Sequence, residues 1–201
     1  MRIPIVIMVA AGVAACGPTP VDRTKTASPT NAAAESGKPT PTPMPTATPA
    51  AQAPALAIDG DGLRLVDPVS GRARPIAFGT PRSDVLSALA RRGSPQTGTN
   101  AECGAGPLAY ARFGDGLTLQ FEDDRFVGWS VDRAGTGKIA TMSGIGPGST
   151  RAELKGAYAV SFPESTLGTE FAAGDMGGLL DGPGKTARVT ALWAGVTCLF
   201  R

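Results

Sequence analysis

One 14-residue segment occurs twice in this chain, and the duplication constrains the fold more than any other feature. Ile76-Ala77-Phe78-Gly79-Thr80-Pro81-Arg82-Ser83-Asp84-Val85-Leu86-Ser87-Ala88-Leu89 aligns at an offset of 69 with Ile145-Gly146-Pro147-Gly148-Ser149-Thr150-Arg151-Ala152-Glu153-Leu154-Lys155-Gly156-Ala157-Tyr158. Isoleucine, glycine, a hydroxyl residue, arginine, an acid, a branched apolar residue, alanine and a large apolar residue coincide. Each copy reads as a glycine turn followed by a helix. The expected N-cap is Thr80 or Ser149, with Pro81 in the first helical position of the first copy. Thr150 with Glu153 offers a competing capping box in the second. Val85 and Leu89, like Leu154 and Tyr158, are four apart and share a helix face. Asp84 and Glu153 fall in the first turn, where a carboxylate complements the helix dipole.

After each helix the apolar period shortens to two. Leu108, Tyr110 and Arg112 alternate with small residues; Leu117, Leu119 and Phe121, then Val127, Trp129 and Val131, continue the pattern. In the second copy Ala187, Val189, Ala191 and Trp193 alternate, and Val196, Cys198 and Phe200 suggest a closing strand. Ahead of the first helix, Leu63–Val66 and Arg74–Phe78 suggest a hairpin turned at Asp67-Pro68-Val69-Ser70-Gly71. The expected fold class is α+β: two tandem helix-plus-antiparallel-hairpin repeats, at about 76–132 and 145–201, with helices on one face of an antiparallel sheet.

The duplicated Ile-x-x-Gly-[Ser/Thr]-x-Arg-x-[Asp/Glu]-[Val/Leu] helix with its following strands resembles the repeat of the β-lactamase-inhibitor-protein fold. The small outer-membrane assembly lipoproteins of the SmpA/OmlA type share that repeat. The resemblance implies a non-catalytic protein that acts by binding other proteins. It carries over no contact residues, because the matching positions are caps and core.

Residues 1–16 resemble a bacterial lipoprotein leader. Arg2 precedes the apolar run Ile3–Val9, too short to span a bilayer, and Val13-Ala14-Ala15-Cys16 has the form of a lipobox. The resemblance implies a signal peptide over 1–15 and a diacylglycerol and palmitate anchor on Cys16. Several acyl chains hold a protein stably on a membrane without a spanning helix. Glycine at position 17, in place of the aspartate that favours inner-membrane retention, points to the periplasmic face of the outer membrane.

Residues 17–54 contain nine prolines, eight threonines and eight alanines, and no aromatic residue. Such a composition buries too little apolar area to offset the entropy of ordering it, so a disordered linker is expected over 16–54. Its Pro39-Thr40-Pro41-Thr42-Pro43-Met44-Pro45 run favours extended polyproline geometry, and at about 3.1 Å per residue the tract reaches roughly 100 Å at most.

The remaining 55–201 is long enough for one domain with a sizeable core. It holds 15 Lys plus Arg and 15 Asp plus Glu. A formally neutral domain without a basic run lacks the phosphate-neutralising footprint of a nucleic-acid binder, so neither nucleic acid nor nucleotide is an expected partner. The chain has no histidine, which removes Ser-His-Asp and Cys-His catalysis and the usual zinc sites; no metal or other cofactor is expected. Gly135-Thr136-Gly137-Lys138 lacks the leading glycine and following hydroxyl of a P-loop. In Gly144-Ile145-Gly146-Pro147-Gly148, Ser149 replaces the third dinucleotide-fingerprint glycine and Pro147 withholds an N–H. Both read as turns. Asp59-Gly60-Asp61-Gly62 lacks calcium-loop spacing.

Cys103 and Cys198 form an even pair in a domain expected outside the cytoplasm, and a disulfide between them is the simplest expectation. The functional expectation is a non-catalytic, lipid-anchored envelope protein acting by protein–protein interaction or envelope assembly. The alternative is a small-ligand or glycan module using Tyr110, Phe113 and Trp129, with core packing as the competing role of those rings. A third possibility is a carboxylate hydrolase built from Asp115, Glu122, Asp123 and Asp124.

Overall fold

A computed structural model describes residues 53–133 and 139–198. The leader, Cys16, all but the end of the expected linker, the Gly135–Lys138 turn and Phe200 lie outside the described residues. The strands are β1 (Ala55–Asp59), β2 (Gly62–Val66), β3 (Ala73–Ala77), β4 (Gln96–Asn100), β5 (Leu108–Arg112), β6 (Leu117–Glu122), β7 (Arg125–Asp132), β8 (Ala140–Thr141), β9 (Thr169–Ala173), β10 (Met176–Leu180) and β11 (Val189–Gly195). Two seven-residue helices, α1 (Arg82–Ala88) and α2 (Arg151–Ala157), and a 3-10 turn at Ala90–Arg92 complete the described elements.

The strands form two sheets. One has four strands in the order β3-β2-β1-β8; the other has seven in the order β4-β5-β6-β7-β11-β10-β9. The expected α+β class, with helices laid on one sheet face, is therefore overturned: the described fold is mostly β. Each helix buries one side chain, Val85 in α1 and Leu154 in α2. Gly93 at positive φ ends the first helical stretch and extended Tyr158 the second. Helices this short cannot cover a seven-stranded sheet. The covering layer comes from the small sheet, whose Leu56, Ile58, Leu63, Leu65 and Ile76 join Leu117, Phe121, Trp129 and Leu192 in one core. Trp129 is fully buried, and its indole N–H donates to the Asp59 carbonyl at 2.8 Å, linking the layers.

The duplication reappears as matched hydrogen bonds. In the first copy Gly79 N–H donates to Phe126 C=O, Phe126 N–H to Thr80 C=O, and Arg82 N–H to Asp124 C=O. In the second, Gly148 donates to Val189, Val189 to Ser149, and Arg151 to Ala187. Arg125 Nη1 donates to the Gly79 carbonyl at 3.0 Å, and Arg188 Nη1 to the Gly148 carbonyl at 2.7 Å. Both helix-opening arginines stack on a ring, though on non-equivalent ones: the Arg82 guanidinium lies over Phe121 of β6 and that of Arg151 over Phe162, ahead of β9. β7 and β11 are thus equivalent, and they pair antiparallel at the middle of the large sheet. Ser130 faces Trp193, flanked by Val131–Leu192 and Trp129–Ala194. Those flanking pairs exchange under the 63-residue offset between Phe126 and Val189, so a pseudo-twofold axis passes between the two strands.

Local chemistry explains the turns and corrects the caps. Asp67 accepts from the Val69 and Ser70 amides and the Ser70 hydroxyl, closing the β2–β3 turn. The Ser70 bonds hold its carboxyl below the usual carboxylate range. Asp123 and Asp124 form the two-residue β6–β7 loop with φ of +46° and +55°, the left-handed pair of a type I′ turn. Thr80 is not the cap of α1. Its hydroxyl donates back to Ala77 C=O at 2.7 Å, and Pro81 occupies the N-cap without a side-chain bond. Nor does Ser149 cap α2. Thr150 and Glu153 form the capping box: Glu153 N–H donates to Thr150 Oγ1, and Thr150 N–H to Glu153 Oε2 at 2.6 Å. The expected closing strand is absent over the described Val196–Cys198, which leaves the sheet after Gly195 at φ +70°.

Candidate functional site

Alternation in β4 to β7 sends one set of side chains into the core and the other onto the opposite, open face. Leu117, Leu119 and Phe121 point inward. Thr118 and Gln120, on the intervening positions, point outward. Pairing aligns the outward residues in rows. Gly98, Tyr110, Gln120 and Gly128 make one row; Gln96, Arg112, Thr118 and Ser130 make the next. All of these but the two glycines, together with Asn100, Leu108, Asp132 and Cys198, line a groove of about 320 Å³.

The C-terminal segment builds one wall. Val196 N–H donates to Val127 C=O at 2.8 Å, and the backbone of Val196 lies directly over Gly128, leaving no room for a side chain there. Two residues on, Cys198 Sγ accepts from Asn100 Nδ2 at 3.1 Å, at the far edge of the sheet. The chain therefore passes across the open face from β11 toward the β4–β5 connection. Cys103, in that connection, is buried and meets Cys198 there. Both stand as thiols. Burial, and then the hydrogen bond and charge of Cys103, push the Cys198 thiol up to about 11.

Tyr110 reaches over β4: a Cβ on Gly98 would sit 2.6 Å from its hydroxyl oxygen and 2.8–2.9 Å from two of its ring carbons. Arg112 and Asp132 pair at 3.6 Å across the groove. Gln120 differs from its neighbours. It is only 7 % exposed although it sits on the open face, and its solvent-sealed Oε1 has no hydrogen-bond partner among the described residues. Sequence reasoning missed Gln120, because its position beside a returning C-terminal segment has no local signature.

Of the aromatic residues expected to bind a glycan, only Tyr110 reaches the groove; Phe113 and Trp129 are in the core. The four carboxylates do not converge. Asp115 pairs with Arg92 beside the β5–β6 turn, Glu122 faces Arg125 at the end of β6, and Asp123 and Asp124 form the hairpin loop. Asp59 and Asp61 both pair with Arg64, Asp61 at 3.5 Å. Among the described residues no three metal-ligating side chains gather, and no helix is long and apolar enough to cross a membrane.

A second feature is the edge of the large sheet. β9, at one end, is partly covered: Ser161 and Ala172 exchange backbone hydrogen bonds at 3.0 Å. β4, at the other end, pairs among the described residues with β5 alone, and its sequence Gln96-Thr97-Gly98-Thr99-Asn100 contains neither proline nor charge. No protein family, curated protein or solved structure matches the chain.

Proposed function

We propose that this chain is a non-catalytic, lipid-anchored cell-envelope protein acting by protein–protein interaction, with a partner's extended segment adding to the seven-stranded sheet at β4. The unguarded edge of β4 carries this reading. Exposed edges are templates for another strand, and proteins normally blunt them with proline, charge or cover. The small sheet does so at β3, where exposed Pro75 follows exposed Arg74; Ser161 covers β9. Among the described residues β4 has no such device, and strand addition uses backbone hydrogen bonds that any extended partner can supply. The lipobox-like Val13-Ala14-Ala15-Cys16 supports the anchor, and Gly17 supports the periplasmic face of the outer membrane. The scattered carboxylates and absent histidine leave the hydrolase alternative without an assembled acid–base pair. Of the rings named for the small-ligand alternative, only Tyr110 reaches the groove; Phe113 and Trp129 lie in the core.

Site-specific photocrosslinking in the producing cell tests the docking edge. A photoreactive residue at Thr97 or Thr99 should capture one protein stoichiometrically. The same group at Val69, on the distant β2–β3 turn, should not. A Thr99→Lys substitution, which puts a charge on the edge, should reduce capture from position 97 severalfold. Equal capture from 97 and 69, or capture indifferent to the lysine, would defeat the β4 assignment.

A further inference from the structure

We propose that the strand received at β4 is β4 of a second copy of this chain, paired antiparallel about a twofold axis at Gly98. The inference rests on the reading that β4 is the docking edge, and it names the occupant. A strand can add to its own copy only if its sequence suits itself when run backwards, because a twofold contact sets the same patch against itself. β4 meets that condition. Gln96-Thr97-Gly98-Thr99-Asn100 reads amide, hydroxyl, glycine, hydroxyl, amide from either end. With Gly98 on the axis, Thr97 faces Thr99 twice and Gln96 faces Asn100 twice. Threonine pairs stabilise an antiparallel ladder, and amides both donate and accept. Gln96, Thr97 and Thr99 are all exposed in the single copy.

The axis and the flanks fit the same arrangement. Tyr110 reaches over Gly98 from β5, its hydroxyl oxygen 2.6 Å from where a Cβ would lie. Each glycine clears space for the tyrosine of its own copy, so the two phenols approach across the axis with no side chain between them. Outside the strand, exposed Arg91 precedes β4 and exposed Glu102 follows it. Neither belongs to an ion pair among the described residues. Antiparallel pairing carries Arg91 of each copy toward the end where Glu102 of the other stands, so opposite charges match at both ends. A foreign strand would require neither the internal symmetry of β4 nor these matched flanks. The contact also closes at two copies: it uses β4 of each, and Ser161 covers the opposite edge at β9. Five residues from each side make a small interface. The anchor proposed above offsets that by confining both copies to one surface, which raises their effective concentration.

Photocrosslinking of the full chain in the producing cell tests who occupies the edge. A photoreactive residue in place of exposed Gln96 should give an adduct of twice the chain mass. Peptide mapping should place the far end of the crosslink at or beside Asn100 of the second copy. Thr97→Lys/Thr99→Lys sets lysine against lysine at both threonine pairs, and Thr97→Glu/Thr99→Glu sets acid against acid. Either double variant expressed alone should lose the adduct at least about fivefold. Expressed together they should regain it, because each threonine position then joins opposite charges; that rescue also shows that both variants fold. Capture of a different protein from position 96 would overturn self-pairing and leave β4 as the docking edge. A second copy captured through residues away from β4, or an adduct indifferent to the charges, would overturn it as well. No adduct above that from Val69 would remove both readings.

Discussion

Three glycines of the seven-stranded sheet lie under aromatic rings: Gly98 under Tyr110, Gly177 under Trp193 and Gly178 under Phe171. Each ring comes from the paired position on the adjacent strand. Glycine weakens a strand through backbone entropy and the lack of a side chain to pack; a cross-strand ring restores the missing cover. Gly178 is the tightest case, since a Cβ there would meet Phe171 Cζ at 2.3 Å and the Ala191 carbonyl at 2.6 Å. Gly178→Ala should therefore destabilise the domain by about 1–3 kcal/mol, read as a lowered thermal midpoint by circular dichroism. Gly104→Ala, with nothing within 4 Å and no positive φ, should melt with the parent. An equal loss in both would remove the packing explanation. These pairs also show why β10 is illegible from its own residues. Met176-Gly177-Gly178-Leu179-Leu180 has poor strand propensity, and what rescues it sits on β9 and β11.

Elements whose signal is local were legible. The β2–β3 hairpin follows from Asp67 and its turn, β5 to β7 from alternation, and the β6–β7 loop from Glu122-Asp123-Asp124. The capping box at Thr150 was visible as Thr-x-x-Glu. Thr80, by contrast, sits where a cap belongs but bonds Ala77, because its backbone is already engaged with Phe126 in the neighbouring strand. The C-terminal segment was misjudged for a similar reason. Val196, Cys198 and Phe200 alternate like a strand, yet Gly195 at positive φ turns the chain off the sheet and over Gly128. That route gives the two cysteines a structural meaning, because a bond between them would fasten the segment as a strap beside the groove. Mass spectrometry of unreduced mature protein should show a peptide joining Cys103 to Cys198. Free thiols on both, in protein secreted into an oxidising compartment, would contradict it. The 95-residue separation makes such a crosslink worth up to ~4–5 kcal/mol in the chain-entropy account.

At the scale of the molecule, the duplication was legible and its architecture was not. The 69-residue offset marked two equivalent units, and the structure joins them about a pseudo-twofold between β7 and β11. Helix-period pairs at Val85/Leu89 and Leu154/Tyr158 suggested that helices cover the sheet. The helices run only two turns each, and β1, β2, β3 and β8 form the covering layer instead. β1 is the piece that made the difference: it starts at Ala55, directly after the proline-rich tract, and pairs parallel with distant β8, a contact no local pattern announces. The copies also end differently. The first finishes in the full edge strand β4, whereas the second keeps only the Ser161–Ala172 bridge at the corresponding edge. A seven-stranded sheet with one edge open and the other covered among the described residues offers a partner strand one docking edge.

The central claim is that this domain works from the end of a lipid anchor by binding and not by catalysis. Mass analysis of the N-terminal peptide of the mature protein, after metabolic labelling with palmitate, tests it most directly. The account predicts a chain beginning at Cys16, carrying the label and the mass of a diacylglycerol, with both lost in Cys16→Ser. An unlabelled mature chain that partitions into the aqueous phase would contradict it.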